Sequence, residues 1–396
     1  MTRTTDLLKK KRMWLLAVIL VSYFVVGFPD GAFTISWLGI AEEIQGMTTA
    51  HTGYILVGYS VTYTLAGVLL DKLNRVMKLQ TVYLWGLVIM GLGFVTLALS
   101  PNFMLVLLTI TLYGFGTGLM ASSMNSYMAK HFTARHNNWM HCFWGWGATL
   151  SPIIMGQMMA LISWRAGYFV ISGILVLVAL MLLISMHKKV WLDDAQAAIT
   201  TDEIKVKKHY LTKKWHQVVE ILTFFFLGGT DYTLVFFTGA ALIARGYQTT
   251  YTVAIFSAIY YVSMTAGRMF FGWLAKWLKE VPIVRIGAGI AVLGIGILYF
   301  TGNISGMAFT GFGLGPMLPT LVSDTSNRFQ PKLISKIVGY ELAAFGAGIA
   351  VLFFLTSQIM HFVTYEALFP LALAFIVLVF ICNEILAKAI KVENLK

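Results

Sequence analysis

The length of the apolar runs constrains this chain more than any other feature. The first runs from about Met13 to Ile40. Eleven more follow at roughly 50–70, 80–99, 103–129, 138–162, 166–187, 216–243, 250–275, 282–300, 304–325, 334–360 and 365–388. A helix needs about 20 apolar residues to cross the hydrocarbon core of a bilayer. The runs are continuous rather than alternating, which excludes a membrane β-barrel. Only 12% of the residues are charged against 58% hydrophobic, and a soluble domain carries about twice that share of charge. The expected fold class is an all-α membrane protein with twelve transmembrane helices. The first run is too long for the core of a cleavable signal and lacks a small-residue cleavage site, so it is expected to remain as the first helix.

The net charge of +12 suggests nucleic acid until the basic residues are mapped. Of 29 Lys and Arg, 26 lie at the two termini or in alternate loops. Only Arg165, Arg245 and Arg268 lie elsewhere. This asymmetry follows the positive-inside rule and predicts a multi-pass protein of the cytoplasmic (plasma) membrane with both termini cytoplasmic. It argues for the lipid bilayer and against nucleic acid as partner. Cys142 and Cys382 fall inside apolar runs and read as small packing residues, not a disulfide or metal site. The polar interval Lys188–Trp215 predicts a cytoplasmic linker whose Lys-rich end lies along anionic headgroups. It divides the chain into residues 1–187, 188–215 and 216–396, with six helices on either side.

The two halves repeat. Gly27-Phe28-Pro29-Asp30 matches Gly228-Gly229-Thr230-Asp231 at an offset of 201. Gly114-Phe115-Gly116-Thr117-Gly118 matches Gly311-Phe312-Gly313-Leu314-Gly315 at 197, and Gly145-Trp146-Gly147 matches Gly346-Ala347-Gly348 at 201. Three matches in one order predict two pseudo-symmetric six-helix bundles. Asp30 is the only ionisable residue in the first run, and a lone carboxylate at mid-membrane costs roughly 2.5–3.5 kcal/mol on insertion scales. It is therefore a functional candidate, with helix packing as the plainer alternative. Pro29 and Gly31 beside it suit an irregular turn lining a cavity. The repeat predicts that Asp231 faces Asp30 across that cavity.

Five stretches carry a family resemblance. Gly67-Val68-Leu69-Leu70-Asp71-Lys72-Leu73-Asn74-Arg75 resembles the loop motif of the major facilitator superfamily, Gly-x-Leu-x-Asp-Arg-x-Gly-Arg, with Asn74 in place of the second glycine. The resemblance implies that Asp71 and Arg75 form a latch on the cytoplasmic face. Gly272 to Lys276, preceded by Gly267-Arg268, is a decayed copy in which Lys276 replaces the acid. Arg268 is deep enough to need a partner, and a salt bridge at the cytoplasmic end is expected ahead of substrate binding. Asn138-Trp139-Met140-His141-Cys142-Phe143-Trp144-Gly145-Trp146-Gly147 resembles the fifth helix of the fucose-permease-like branch of sugar:proton symporters. Ala121 to Asn125 resembles that branch's Glu-Thr-Ala-Ala-Asn, with Ala121 where fucose-type members carry a glutamate. Gly311 to Pro319 is similar to the branch's Gly-x-Gly-x-x-Pro-x-x-Pro.

Asn138, His141 and Gly145 are spaced to share a helix face. Aromatic faces beside amide and imidazole groups form a sugar-binding set. The candidate substrate site is Asp30, Asn125, Asn138, His141, Trp144 and Asp231, with Asp30 also the proton-coupling residue. Lipid packing is the plainer role for at least one of Trp139, Trp144 and Trp146. Glu341 fits either a cytoplasmic gate contact or a substrate contact, and is grouped with Asp71, Arg75 and Arg268. Glu220 and Glu384 read as interfacial. His131, His136 and His141 have no acidic partners for a metal, and no phosphate-cradling loop precedes a Lys-Ser/Thr pair. An enzyme, a resident cofactor and an ATP-driven pump are not expected. The expected function is secondary transport of a small polar solute, a sugar, coupled to a proton or other ion, by a monomer. The alternatives are a multidrug efflux antiporter, faintly suggested by Ser151-Pro152 and Gly156, and a non-transporting sensor.

Overall fold

The computed structural model describes residues 2–44, 51–192, 210–246 and 249–393. Most of the expected linker, including Lys205, Lys207 and Lys208, lies outside the described residues. The described residues are almost entirely helical: α1 (Thr2–Val26), α2 (Phe28–Glu43), α3 (His51–Val76), α4 (Leu79–Ala98), α5 (Phe103–His131), α6 (Ala134–Leu161), α7 (Trp164–His187), α8 (Lys214–Ala244), α9 (Thr249–Leu274), α10 (Glu280–Thr301), α11 (Ser305–Leu314), α12 (Met317–Arg328), α13 (Ile334–Phe362) and α14 (Leu368–Glu393). Each of the twelve apolar runs is occupied by helix. Among the described residues eight spans are long and apolar enough by themselves to cross a membrane. The chain is an all-α, multi-pass membrane protein.

The first and tenth runs are each broken into two helices, and proline explains both breaks. Pro29 has no N–H to give to the preceding turn, and the helix is interrupted at Gly27 before α2 resumes. In the tenth run Pro316 and Pro319 remove the donors for Phe312 and Gly315, four residues earlier in each case. The α9 pair Gly267-Arg268 packs against both freed carbonyls. A Cβ on Gly267 would overlap the Phe312 oxygen, and Arg268 Nε donates to the Gly315 oxygen at 3.1 Å.

The chain forms two compact units. One takes in residues up to His131 and from Met140 through α7; the other takes in Phe132–Trp139 with α8–α14. Helix pairs recur between them: α3 and α4 each pack on α5, as α9 and α10 each pack on α11, and α1 packs on α7 as α8 packs on α14. The repeated glycines are the contact points. A Cβ on Gly147 would overlap the Phe24 carbonyl, and one on Gly348 would overlap that of Phe225. Gly114 sits on Tyr59 and Gly118 on Tyr63, as Gly311 sits on Tyr260 and Gly315 on Met264. Both partners in each contact obey the sequence offsets, so the repeat is a repeat of backbone-to-backbone contacts of the kind small residues permit. Gly348→Ala should cost about 1–3 kcal/mol through overpacking; an unchanged thermal midpoint would mean the contact is loose.

Arg165 and Arg245, two of the three basic residues outside the alternate-loop pattern, complete equivalent ion pairs in the two units. Arg165 pairs with Glu43 at 2.9 Å and donates to the Ala98 carbonyl at the end of α4, 2.7 Å away. Arg245 pairs with Glu366 at 2.9 Å and donates to the Leu298 carbonyl in the last turn of α10 at 3.1 Å. The geometry is conserved between the units, while acid and base have exchanged helices.

The opposite end of the second unit holds a buried charge cluster. Arg328 pairs with Glu220 at 2.9 Å and Asp324 at 2.7 Å, and donates to Asn383 Oδ1 at 2.6 Å. Thr325 donates to Glu341 Oε1 at 2.7 Å. Arg328 is 1% exposed and Glu220 and Glu341 are 0% exposed. Glu220 is therefore not interfacial, and Arg328 is not an exposed loop cation. The reason is local: Leu211 donates its backbone N–H to the Arg328 carbonyl, and Leu211, Phe329, Ile337 and Leu386 pack together beside it. Glu384 instead joins exposed Arg285 at 2.7 Å.

At the end of the first unit α7 closes with Lys189 at φ 51°. Its N–H and that of Val190 turn back to Met186 and Ser185, a reversal that glycine usually makes. A side chain in this conformation costs about 1–2 kcal/mol.

Candidate functional site

Asp30 stands in the first turn of α2, one residue after Pro29. The break at Gly27 places its half-buried carboxylate at a helix N-terminus, where the dipole favours negative charge. A side chain on Gly27 would overlap the Trp144 carbonyl, so the glycine lets α1 and α6 touch beside the acid. Tyr113 on α5 donates its hydroxyl to Asp30 Oδ1, and Trp144 Nε1 donates to Oδ2 at 3.1 Å. Tyr59 on α3 stacks obliquely on Tyr113 at 5.2 Å, with Phe94 on Tyr113 at 5.1 Å. Among the described residues no basic side chain forms an ion pair with Asp30. Each carboxylate oxygen has one of these donors, and Trp144 and Tyr59 are half-buried like the acid.

A second group lies on α1, α5 and α6. Asn125 donates to the Ala121 carbonyl at 2.9 Å and to the Tyr23 hydroxyl at 3.3 Å. Its amide protons thus committed, Asn125 Oδ1 accepts from His141 Nε2 at 3.1 Å, which sets the imidazole tautomer. Tyr23 meets His141 edge-on at 5.6 Å and stacks on Tyr83 at 6.4 Å. Asn125 and His141 are 1% and 7% exposed. They brace the helices rather than present open groups.

In the second unit Tyr260 on α9 donates its hydroxyl to Asp231 on α8. Tyr260 is the repeat counterpart of Tyr59, and Thr310 occupies the place of Tyr113. The carboxylate is repeated, but its phenol comes from a different helix. Arg268, placed by the α11–α12 break, acts electrostatically on Asp231. One acid thus has a cation within reach, and for the other no ion pair occurs among the described residues.

The remaining candidates lie apart from these groups. Asn138 donates to Thr320 Oγ1 at 3.1 Å and Asn137 donates to the Pro319 carbonyl at 2.7 Å, so the start of α6 packs on α12. Asp71 pairs with Arg75 on its own helix at 2.7 Å, with Arg75 largely exposed. Glu341 belongs to the Arg328 cluster. Trp146 is 40% exposed and suits a lipid contact. Among the described residues no group of His, Cys, Asp and Glu could hold a metal. Sequence reasoning missed Tyr23, Tyr59, Tyr113 and Tyr260. The offset that pairs Asp30 with Asp231 also pairs Tyr59 with Tyr260, and Tyr113 directly precedes a repeated glycine.

Residues 19–351 match the family model for the Major Facilitator Superfamily. The chain belongs to the major facilitator superfamily. It is therefore placed in a family of membrane transporters, as its loop motif at Gly67–Arg75 implied. No curated protein sequence matches it. Solved structures that share the fold include three transporters. The Escherichia coli fucose:proton symporter FucP aligns at 13% identity over 94% of this chain and 98% of its own, with TM-score 0.73. The proton:xylose symporter XylE bound to 6-bromo-6-deoxy-D-glucose aligns at 12% over 92% and 94%, with TM-score 0.74. The human organic anion transporter MFSD10 aligns at 15% over 93% and 98%, with TM-score 0.71.

Proposed function

We propose that this transporter moves a small polar solute, a sugar, across the cytoplasmic membrane by alternating access of two six-helix halves, residues 1–187 and 216–396. Transport is coupled to protons, both termini are cytoplasmic, and the working unit is a monomer. One observation carries the reading: an acid with no ion pair among the described residues, Asp30, held by a phenol and an indole beside the half-buried Tyr59 ring. A carboxylate accepts hydrogen bonds from sugar hydroxyls, and a flat ring stacks on the apolar face of a pyranose. The same carboxyl group can take up a proton without stranding a paired cation. Asp231 with Tyr260 is the second unit's own carboxylate–phenol pair. Asn125, His141 and Asn138 hold the helices that carry the site. Asp71, Arg75, Arg268 and Glu341 act in the switch between states. Fold neighbours that include two sugar:proton symporters support the solute class.

Thermal unfolding in neutral detergent with a panel of pentoses, hexoses and deoxyhexoses tests the solute class. A sugar present at 100 times its dissociation constant adds about 2.7 kcal/mol to stability. Trp144→Ala should weaken that sugar about tenfold, or ~1.4 kcal/mol. Stabilisation by lipophilic cations and by no sugar would replace this reading with efflux.

A further inference from the structure

We propose that Tyr59 is a second phenol donor to Asp30, held in reserve by Thr117, so that the carboxylate can pass from Tyr113 to Tyr59. The proposal rests on the reading of Asp30 as the working acid and gives that acid a further positioning residue.

The second unit supplies the precedent. Tyr59 and Thr62 on α3 are separated from Tyr260 and Ser263 on α9 by the offset of 201 that also separates the two acids. The backbones agree: Gly114 packs on the Tyr59 carbonyl and the Thr62 hydroxyl, and Gly311 packs on the Tyr260 carbonyl and the Ser263 hydroxyl. The two phenols therefore leave their helices at equivalent points. In the second unit that phenol donates to the acid. In the first, Tyr113 does so instead.

Two differences between α5 and α11 account for the exchange. At the offset of 197, Thr310 stands for Tyr113 and Leu314 for Thr117. Thr310 turns its hydroxyl back to the Gly306 carbonyl at 2.8 Å, and a leucine offers no acceptor to Tyr260. In α5 both competitors are present. Tyr113 takes the acid, while Thr117 donates to the Tyr113 carbonyl at 2.8 Å and meets the Tyr59 side chain. Tyr59 stays close to the acid all the same. Its ring lies 5.2 Å from that of Tyr113, and the Asp30 charge acts on it directly. An ionised carboxylate has about four lone-pair sites, and a hydrogen bond to a charged acceptor is roughly twice as strong as one between neutral groups. Ionised Asp30 thus attracts the Tyr59 hydroxyl more strongly than Thr117 does.

The test is a set of thermal unfolding measurements on the full-length protein in neutral detergent, with no solute present. Phenylalanine keeps both ring contacts and removes only the hydroxyls. Tyr59→Phe and Tyr113→Phe should each lower the midpoint slightly, because the other phenol still serves Asp30. The double variant should lose more than the sum of the two, and the excess should vanish in an Asp30→Ala background, where neither hydroxyl has its acceptor. Thr117→Val frees Tyr59 and should shrink the drop caused by Tyr113→Phe. This pattern in a protein that accumulates no sugar would support the donor exchange and overturn only the sugar. A double variant that loses only the sum, an excess that persists without Asp30, or a Tyr113→Phe drop unchanged by Thr117→Val would overturn the proposal.

Discussion

Asp30→Asn is expected to abolish proton-driven accumulation of the substrate while leaving counterflow exchange largely intact. Asparagine keeps one acceptor for Tyr113 or Trp144 but cannot carry a proton through the cycle. Counterflow needs only binding and the conformational switch, and both survive if the amide still meets the solute. The fold should lose little, on the order of 1 kcal/mol for one mismatched hydrogen bond. A thermal midpoint close to the parent's therefore accompanies the transport defect. Accumulation at the parental level would make Asp30 a packing residue. Loss of both accumulation and counterflow in a folded variant would make it a substrate ligand alone. The corresponding change at Asp231 should differ, because Arg268 acts on that acid. Neutralising Asp231 leaves a buried cation with less compensation and should destabilise the second unit.

Arg328→Ala is expected to be the most destabilising single change in the chain, at about 3–5 kcal/mol. The substitution strands Glu220 and Asp324, both bonded to the guanidinium, with Glu341 buried beside them. Pairing Arg328→Ala with Glu220→Gln should recover part of the loss, because fewer uncompensated carboxylates remain. Urea or thermal unfolding of the single and double variants measures this. A single variant as stable as the parent would mean that the cluster is hydrated and weak.

The fold is legible in the sequence because membrane helices advertise themselves by length, and because the repeat rests on glycines that make backbone contacts. Gly147 and Gly348 cannot be replaced without overlap, so they stand out in both halves. Asp30 is legible because a carboxylate is rare inside an apolar run. Tyr113 and Tyr260 are not, since a tyrosine in a membrane helix carries no comparable penalty and its partner is set by helix packing. Tyr113 and Tyr260 also come from non-equivalent helices, so symmetry alone does not find them. Arg328 and Glu220 lie near the ends of their runs, where position alone suggests exposure. The chain at Leu211 folds over the end of α12, and α13 and α14 close in beside it. The swapped pairs Glu43–Arg165 and Arg245–Glu366 show the same limit: an exchange of charge hides a conserved geometry from any search for matching residues.

Reconstitution into proteoliposomes decides whether the protein is a proton-coupled sugar transporter. The purified protein, reconstituted with an imposed inward proton gradient, is offered labelled pentoses and hexoses in turn. At least one sugar should accumulate above its external concentration, and collapsing the gradient should stop the accumulation. Failure of every sugar to enter or exchange, with or without the gradient, would contradict it.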